Sequence, residues 1–162
     1  MRKSWTIAIL GLALLSLTPI ESQASGVVVV SLFDKGAAAG MPVGFSYGMP
    51  AMDMSRATMW MKLSADSVKA GLVTFEVTNN SKDMVHEMLV IPLKDSAMQL
   101  PYDDKENRVD EDKAGSLGEV SELDPGKAGS LTLTLKPGKY LLICNQPGHF
   151  GAGMWKEFNV SE

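Results

Sequence analysis

Two short segments alternate apolar and polar residues so regularly that they constrain the fold more than anything else in the chain. In LVTFEVT, Leu72–Thr78, the residues Val73, Phe75 and Val77 fall on one face and Thr74, Glu76 and Thr78 on the other. SLTLTLK, Ser130–Lys136, repeats the pattern with Leu131, Leu133 and Leu135. A period of two marks a half-buried antiparallel strand, because successive side chains of an extended backbone point to opposite faces. Val27–Phe33, Ala57–Leu63, Val85–Pro92, Gly118–Leu123, Lys139–Cys144 and Trp155–Val160 are further strand candidates. Asn79-Asn80, Asp124-Pro125-Gly126 and Pro137-Gly138 supply turn chemistry between them. Short strands punctuated in this way predict an all-β chain, a β-sandwich of about seven or eight strands. No long amphipathic helix is expected.

Two stretches do not read as strands. Asp34–Ser55 is rich in Gly, Ala, Met and Pro and is expected to be a long surface excursion. Pro101–Lys113, PYDDKENRVDEDK, is crowded with charge and expected to be a solvated loop. It superficially resembles a calcium loop, but the glycine of the sharp turn and the ligand spacing are missing.

The N-terminus bears on compartment. Arg2 and Lys3 precede an apolar run from Trp5 to Ile20, and Ser22-Gln23-Ala24 places small residues before a cleavage site. That is the layout of a secretory signal peptide, residues 1–24, with cleavage after Ala24 and a periplasmic or secreted mature protein. No second run of about 18 apolar residues follows, so no membrane span is expected in the mature form. Net charge is −4. No basic stripe exists to neutralise phosphates, which argues against nucleic acid as a partner. The chain has a single cysteine. It cannot form an internal disulfide, and an unpaired thiol in an exported protein calls for an intermolecular bond, a reactive site or a metal.

That cysteine opens CNQPGHFGAGM, Cys144–Met154, which also contains one of the two histidines, His149. Four residues separate Cys144 from His149, and four more separate His149 from Met154. A loop at one end of a sandwich can turn all three side chains toward one point. The other histidine, His86, lies near the start of a strand, on a face shared with Met84, Met88 and Val90, and is expected to point inward. Taken singly, a core histidine, a buried cysteine and a strand-end methionine are ordinary packing residues. Taken together they make a donor set of one thiolate, two imidazoles and one thioether. That set suits copper, which tolerates a weak axial methionine, better than structural zinc, whose usual ligands exclude thioethers. A compromise between soft and imidazole donors holds both Cu(I) and Cu(II), as electron transfer requires.

Cys144, His149 and Met154 with the upstream His86 resemble the type 1 site of the cupredoxins, the small blue copper proteins. The C-x4-H-x4-M spacing, with PGH before a final strand, is similar to the auracyanin and rusticyanin branch. The resemblance covers roughly Ala57 to Val160. It implies a Greek-key sandwich binding one type 1 copper ion. His86, Cys144 and His149 would be equatorial ligands and Met154 the axial one, with His86 buried and His149 near the surface. Residues 25–56 would then form an N-terminal strand and a Gly/Met-rich excursion, and 57–162 the copper-binding domain. In many cupredoxins the residue after the first histidine is Asn or Ser, tied to the cysteine loop. Here it is Glu87, so that link is expected to be missing or differently made.

The implied function is an exported one-electron carrier. Redox protein partners would dock near His149 over Pro147, Phe150, Ala152 and Met84, through a small transient interface. The alternative is copper handling, suggested by Met41, Met49, Met52, Met54, Met59 and Met61, with Met49, Met52 and Met54 offering a second Cu(I) site. Met59 and Met61 are more simply read as strand packing. Enzyme activity is not expected, since multicopper enzymes need further histidines and a binuclear copper domain needs two cysteines.

Overall fold

The computed structural model describes residues 26–49, 53–95 and 98–162. The expected leader, residues 1–24, lies outside them, as does Met52. The strands are β1 (Gly26–Asp34), β2 (Met59–Leu63), β3 (Ser67–Lys69), β4 (Gly71–Asn79), β5 (His86–Leu93), β6 (Tyr102–Asp103), β7 (Arg108–Val109), β8 (Glu119–Leu123), β9 (Ala128–Leu135), β10 (Gly138–Ile143) and β11 (Trp155–Ser161). A one-turn helix, α1 (Glu111–Ala114), follows β7.

Two sheets form the sandwich, in the orders β2-β1-β4-β9 and β3-β11-β10-β5-β8. All eight strands expected from the sequence are present, and the short edge strand β3 joins the second sheet by pairing parallel with β11. The N-terminal strand β1 is an inner strand of the first sheet, antiparallel to β2 and parallel to β4. In β4 the alternation holds along its whole length: Val73, Phe75 and Val77 are buried, while Leu72 and Glu76 are exposed. The inward faces of the two sheets meet in one core, where Phe75 of β4 and Phe158 of β11 pack edge to face at 5.3 Å. Burying a side chain of this size stabilises the fold by about 1.5–3 kcal/mol.

The second sheet is covered on its outer face as well. Leu89 and Ile91 of β5 and Leu141 and Ile143 of β10 point away from the inter-sheet core into a second apolar cluster. Further members, Tyr47, Leu100, Val109, Ala114 and Phe150, come from the segments that connect the sandwich strands. The charged stretch 101–113 is therefore more than the solvated loop expected of it. Most of its residues face water, but the β6–β7 hairpin buries Val109 and α1 buries Ala114. Asp110 caps α1 through the Lys113 N–H, and Gly115 closes it in the left-handed conformation. The excursion after β1 likewise sets Phe45 and Tyr47 inward and leaves Met41, Val43 and Met49 exposed.

Candidate metal centre

His86 is the first residue of β5, opposite Leu123 of β8. Between that pair and the next, Met88 with Val120, β8 has one extra residue. Glu122, within this bulge, has a φ of 39°. Such a bulge bends the strand and re-aims neighbouring side chains. The turn before His86 is rigidly built. Buried Asn79 donates to the carbonyls of Met84 and Leu123 and accepts from the Ser81 N–H.

Cys144 follows β10, and its N–H donates to the Met154 carbonyl at 2.9 Å, closing the loop between them. Inside the loop the chain turns twice. The His149 N–H donates to Gln146 O, and the Met154 N–H donates to His149 O. Gly148 sits at φ 82° and Gly153 at φ 101°. A Cβ on Gly153 would stand 2.8 Å from the Ala57 side chain, so these turns need glycine for both conformation and space. The loop is tied outward as well. Gly148 donates to Asn107 O, Phe45 donates to Gly151 O, and the buried Asn145 amide pairs with both backbone groups of Val109.

These supports converge three donor atoms. His86 Nδ1 and His149 Nδ1 are 3.1 Å apart, and Cys144 Sγ lies 3.3 Å from His149 Nδ1 and 3.8 Å from His86 Nδ1. All three residues are buried, and they are the one such group of possible metal-holding side chains among the described residues. Met154 is fully buried and belongs to the same core cluster as Cys144. His86 has no exposure, and His149 retains 4%.

The donor set fits a metal ion. The three distances define a point about 2 Å from every donor atom, close to the about 2.0–2.1 Å of a metal–imidazole bond and the about 2.3 Å of a metal–thiolate bond. His86 Nε2 faces the Asp34 carboxylate at 2.7 Å. A carboxylate only accepts, so the His86 proton is on Nε2 and its Nδ1 presents a lone pair to the other two donors. Burial favours neutral imidazoles. It pushes His149 down to about 4, helped by the nearby His86, and lowers His86 against the opposing pull of Asp34. Burial also pushes the Cys144 thiol up to about 12, although the N–H groups of Glu87 and Gln146 point at its sulfur and work the other way. At neutral pH the pocket thus offers two neutral imidazoles, with the His86 Nδ1 lone pair turned inward, and a thiol that a bound cation would ionise.

The link beside Glu87 is made differently from the Asn or Ser arrangement. The Glu87 N–H donates to Cys144 Sγ at 3.4 Å, and its carboxylate accepts from the Gln146 side chain at 3.1 Å. The other carboxylate oxygen is buried without a hydrogen-bond partner, and burial raises the Glu87 pKa.

Two residues expected on the surface are inside. Phe150 lies in the outer cluster and Ala152 in the inter-sheet core, because the double turn folds them under the loop. Pro147 is exposed, and Met84 is half-buried. The exposed apolar side chains around the loop come instead from the excursion. A Cβ on Gly148 would meet the Met41 sulfur, one on Gly153 the Met54 methyl, and Met49 lines a shallow cleft with Phe150. Met59 and Met61 are buried in the core.

Asp34 was not legible as a site residue. It ends an apolar strand 52 positions before His86, and no local spacing connects them.

No family model matches the sequence, and no curated protein matches it. Solved structures do. Dithionite-reduced auracyanin from Roseiflexus castenholzii superposes with a TM-score of 0.51 at 17% identity, over 85% of this chain and 97% of that one. Reduced rusticyanin gives 0.53 at 17% identity, over 85% of this chain and 79% of that one. Rusticyanin from Thiobacillus ferrooxidans gives 0.53 at 16% identity, over 85% and 77%. Identity this low speaks to architecture, and with the two sheets described above it gives the chain its place: it has the cupredoxin fold, that of auracyanin and rusticyanin.

Proposed function

We propose that this chain is an exported type 1 copper protein that carries one electron at a time. The observation that carries the reading is the convergence of His86 Nδ1, Cys144 Sγ and His149 Nδ1 about a common point in a buried pocket. Bound there, copper would supply the Cu(II)/Cu(I) couple. The chain's own residues select and hold it. Cys144 would provide a soft thiolate, the histidines borderline nitrogens, and the buried Met154 a weak thioether. The Cys144–Met154 backbone bond and the Asn145 and Asn79 anchors hold the donors in place, so little has to move between oxidation states. A rusticyanin among the similar structures is described as a copper protein, and the leader-like residues 1–24 support export.

His149 is the ligand with residual exposure, so a redox partner is expected to approach over it, across Pro147 and the exposed Met41, Met49 and Met54. A carrier role without enzyme activity fits a chain whose two histidines are both used at one site. Those same exposed methionines favour a second reading, copper handling with an additional Cu(I) site.

One titration separates the two. Apo protein titrated with Cu(I) against a competing chelator should bind one tight equivalent and then give a reversible one-electron voltammetric wave. Met41→Glu should slow electron exchange with a soluble redox protein while leaving copper stoichiometry unchanged. Two or more Cu(I) equivalents, with the excess lost when Met49, Met52 and Met54 are all made Leu, would favour handling. An irreversible wave would end the carrier reading.

A further inference from the structure

Asp34 is the last residue of β1, and its side chain is 2% exposed. One carboxylate oxygen accepts the Gly36 N–H, the Ser81 side chain adds a hydrogen bond, and the other oxygen lies 2.7 Å from His86 Nε2. Ser81 is itself fixed, because its oxygen accepts from the N–H groups of Asp83 and Met84 and its own N–H donates to Asn79. The carboxylate therefore has one orientation, set by the turn at residues 79–84 and the backbone just after β1.

A buried carboxylate is costly to retain unless it is hydrogen-bonded. Three partners hold this one, and the third is a residue whose opposite ring nitrogen faces Cys144 and His149. Two consequences follow from elementary chemistry. The acceptor keeps the His86 proton on Nε2, so the Nδ1 lone pair always faces the site. The negative charge also lies one imidazole ring away from the metal position, where it stabilises the more positive oxidation state more than the less positive one.

We propose that Asp34 is a positioning residue for the metal centre, which locks the His86 tautomer and lowers the reduction potential through its charge. This rests on the copper reading for its second half; the first half holds for the metal-free protein. The electron comes from or goes to a redox protein partner, and no covalent bond in this chain is made or broken. The alternative is a purely structural contact that ties β1 to the start of β5.

Asp34→Asn separates charge from hydrogen bonding, since the amide oxygen can still accept from Nε2. Relative to Cu(I) binding, Cu(II) binding should weaken by about 10- to 100-fold. For a one-electron couple that is a rise in potential of about 60–120 mV, at 59 mV per tenfold. Asp34→Ala should raise the potential at least as far and also mix the His86 tautomers. A structural contact alone would lower stability and leave the potential of the folded, copper-loaded protein where it was, and an unchanged or lower potential in Asp34→Asn overturns the charge role. Nitrogen-15 NMR of the wild-type metal-free imidazoles needs no variant to fold. It should find His86 as the Nε2–H tautomer with a slowly exchanging proton, and the Nδ1–H tautomer overturns the positioning role. Failure of the wild type to bind copper at all would strike the functional reading and leave the tautomer measurement to decide Asp34.

Discussion

The two sheets of this sandwich solve different problems. The first, built on β1, β4 and β9, has one face in the core and one in water, and its strands alternate accordingly. The second carries β5 and β10 at its centre, where Leu89, Val90 and Ile91, and Leu141, Leu142 and Ile143, are all fully buried in sequence. Strands covered on both faces read as continuous apolar runs. Two of the three candidate donor groups are attached to this doubly covered sheet: His86 begins β5, and Cys144 follows β10. A second layer keeps water from that sheet, and the donors gain a dry and rigid end to the sandwich.

Paired truncations break or uphold this contrast most strongly. In β4, Phe75→Ala should cost about 3–5 kcal/mol and the adjacent exposed Glu76→Ala less than about 0.5 kcal/mol. In β10 the neighbours Leu141→Ala and Leu142→Ala should each cost about 2–5 kcal/mol, because each loses a packed environment. Urea unfolding of the apo protein measures all four. A Leu141→Ala cost near that of Glu76→Ala would mean that the outer layer does not pack.

Acid should act on the second sheet's end. The folded His149 pKa is about 4 against an ordinary 6.5, so between those values the unfolded chain binds the proton that the folded one refuses. The stabilising difference is intact above pH 6.5 and is lost as pH falls toward 4, by up to about 3 kcal/mol in the apo protein. His86 moves in the same direction. Stability measured at pH 7, 5.5 and 4 should fall in that order, and the His149→Phe variant should show a shallower slope.

The alternating strands were legible because one face of each meets water, and the ligand loop was legible because rare donors cluster within it. The outer layer was not. Pro101–Lys113 is so charged that its buried Val109, and Ala114 just after it, do not stand out, and they pack against β5 and β10 only through tertiary contact. The double turn of 148–153 hid Phe150 and Ala152 in the same way, since spacing in a loop says nothing about which side faces inward. Asp34 reaches His86 across two elements, a relation that only the folded chain contains.

A smaller test sharpens this point about the outer layer. Val109→Ala should cost about 2 kcal/mol through lost burial and the space left behind. Lys105→Ala, four residues earlier on the exposed side of the same stretch, should change stability by less than about 0.5 kcal/mol. Equal effects would return the stretch to a simple solvated loop. Smallest in stability is Met154→Leu, nearly volume-conserving at about 1 kcal/mol or less. It should retain copper and raise the potential, since a thioether donor is lost; loss of copper would make Met154 a primary ligand.

On the proposed reading, Cys144 binds copper as a thiolate between His86 and His149. The visible absorption spectrum of the Cu(II)-loaded protein, beside that of Cys144→Ser, tests it most directly. The wild type should be intensely blue or green from thiolate-to-copper charge transfer, and Cys144→Ser should lose the band and bind Cu(II) more weakly. A wild-type protein that binds Cu(II) and stays colourless, or a Cys144→Ser variant that keeps the colour, would contradict it.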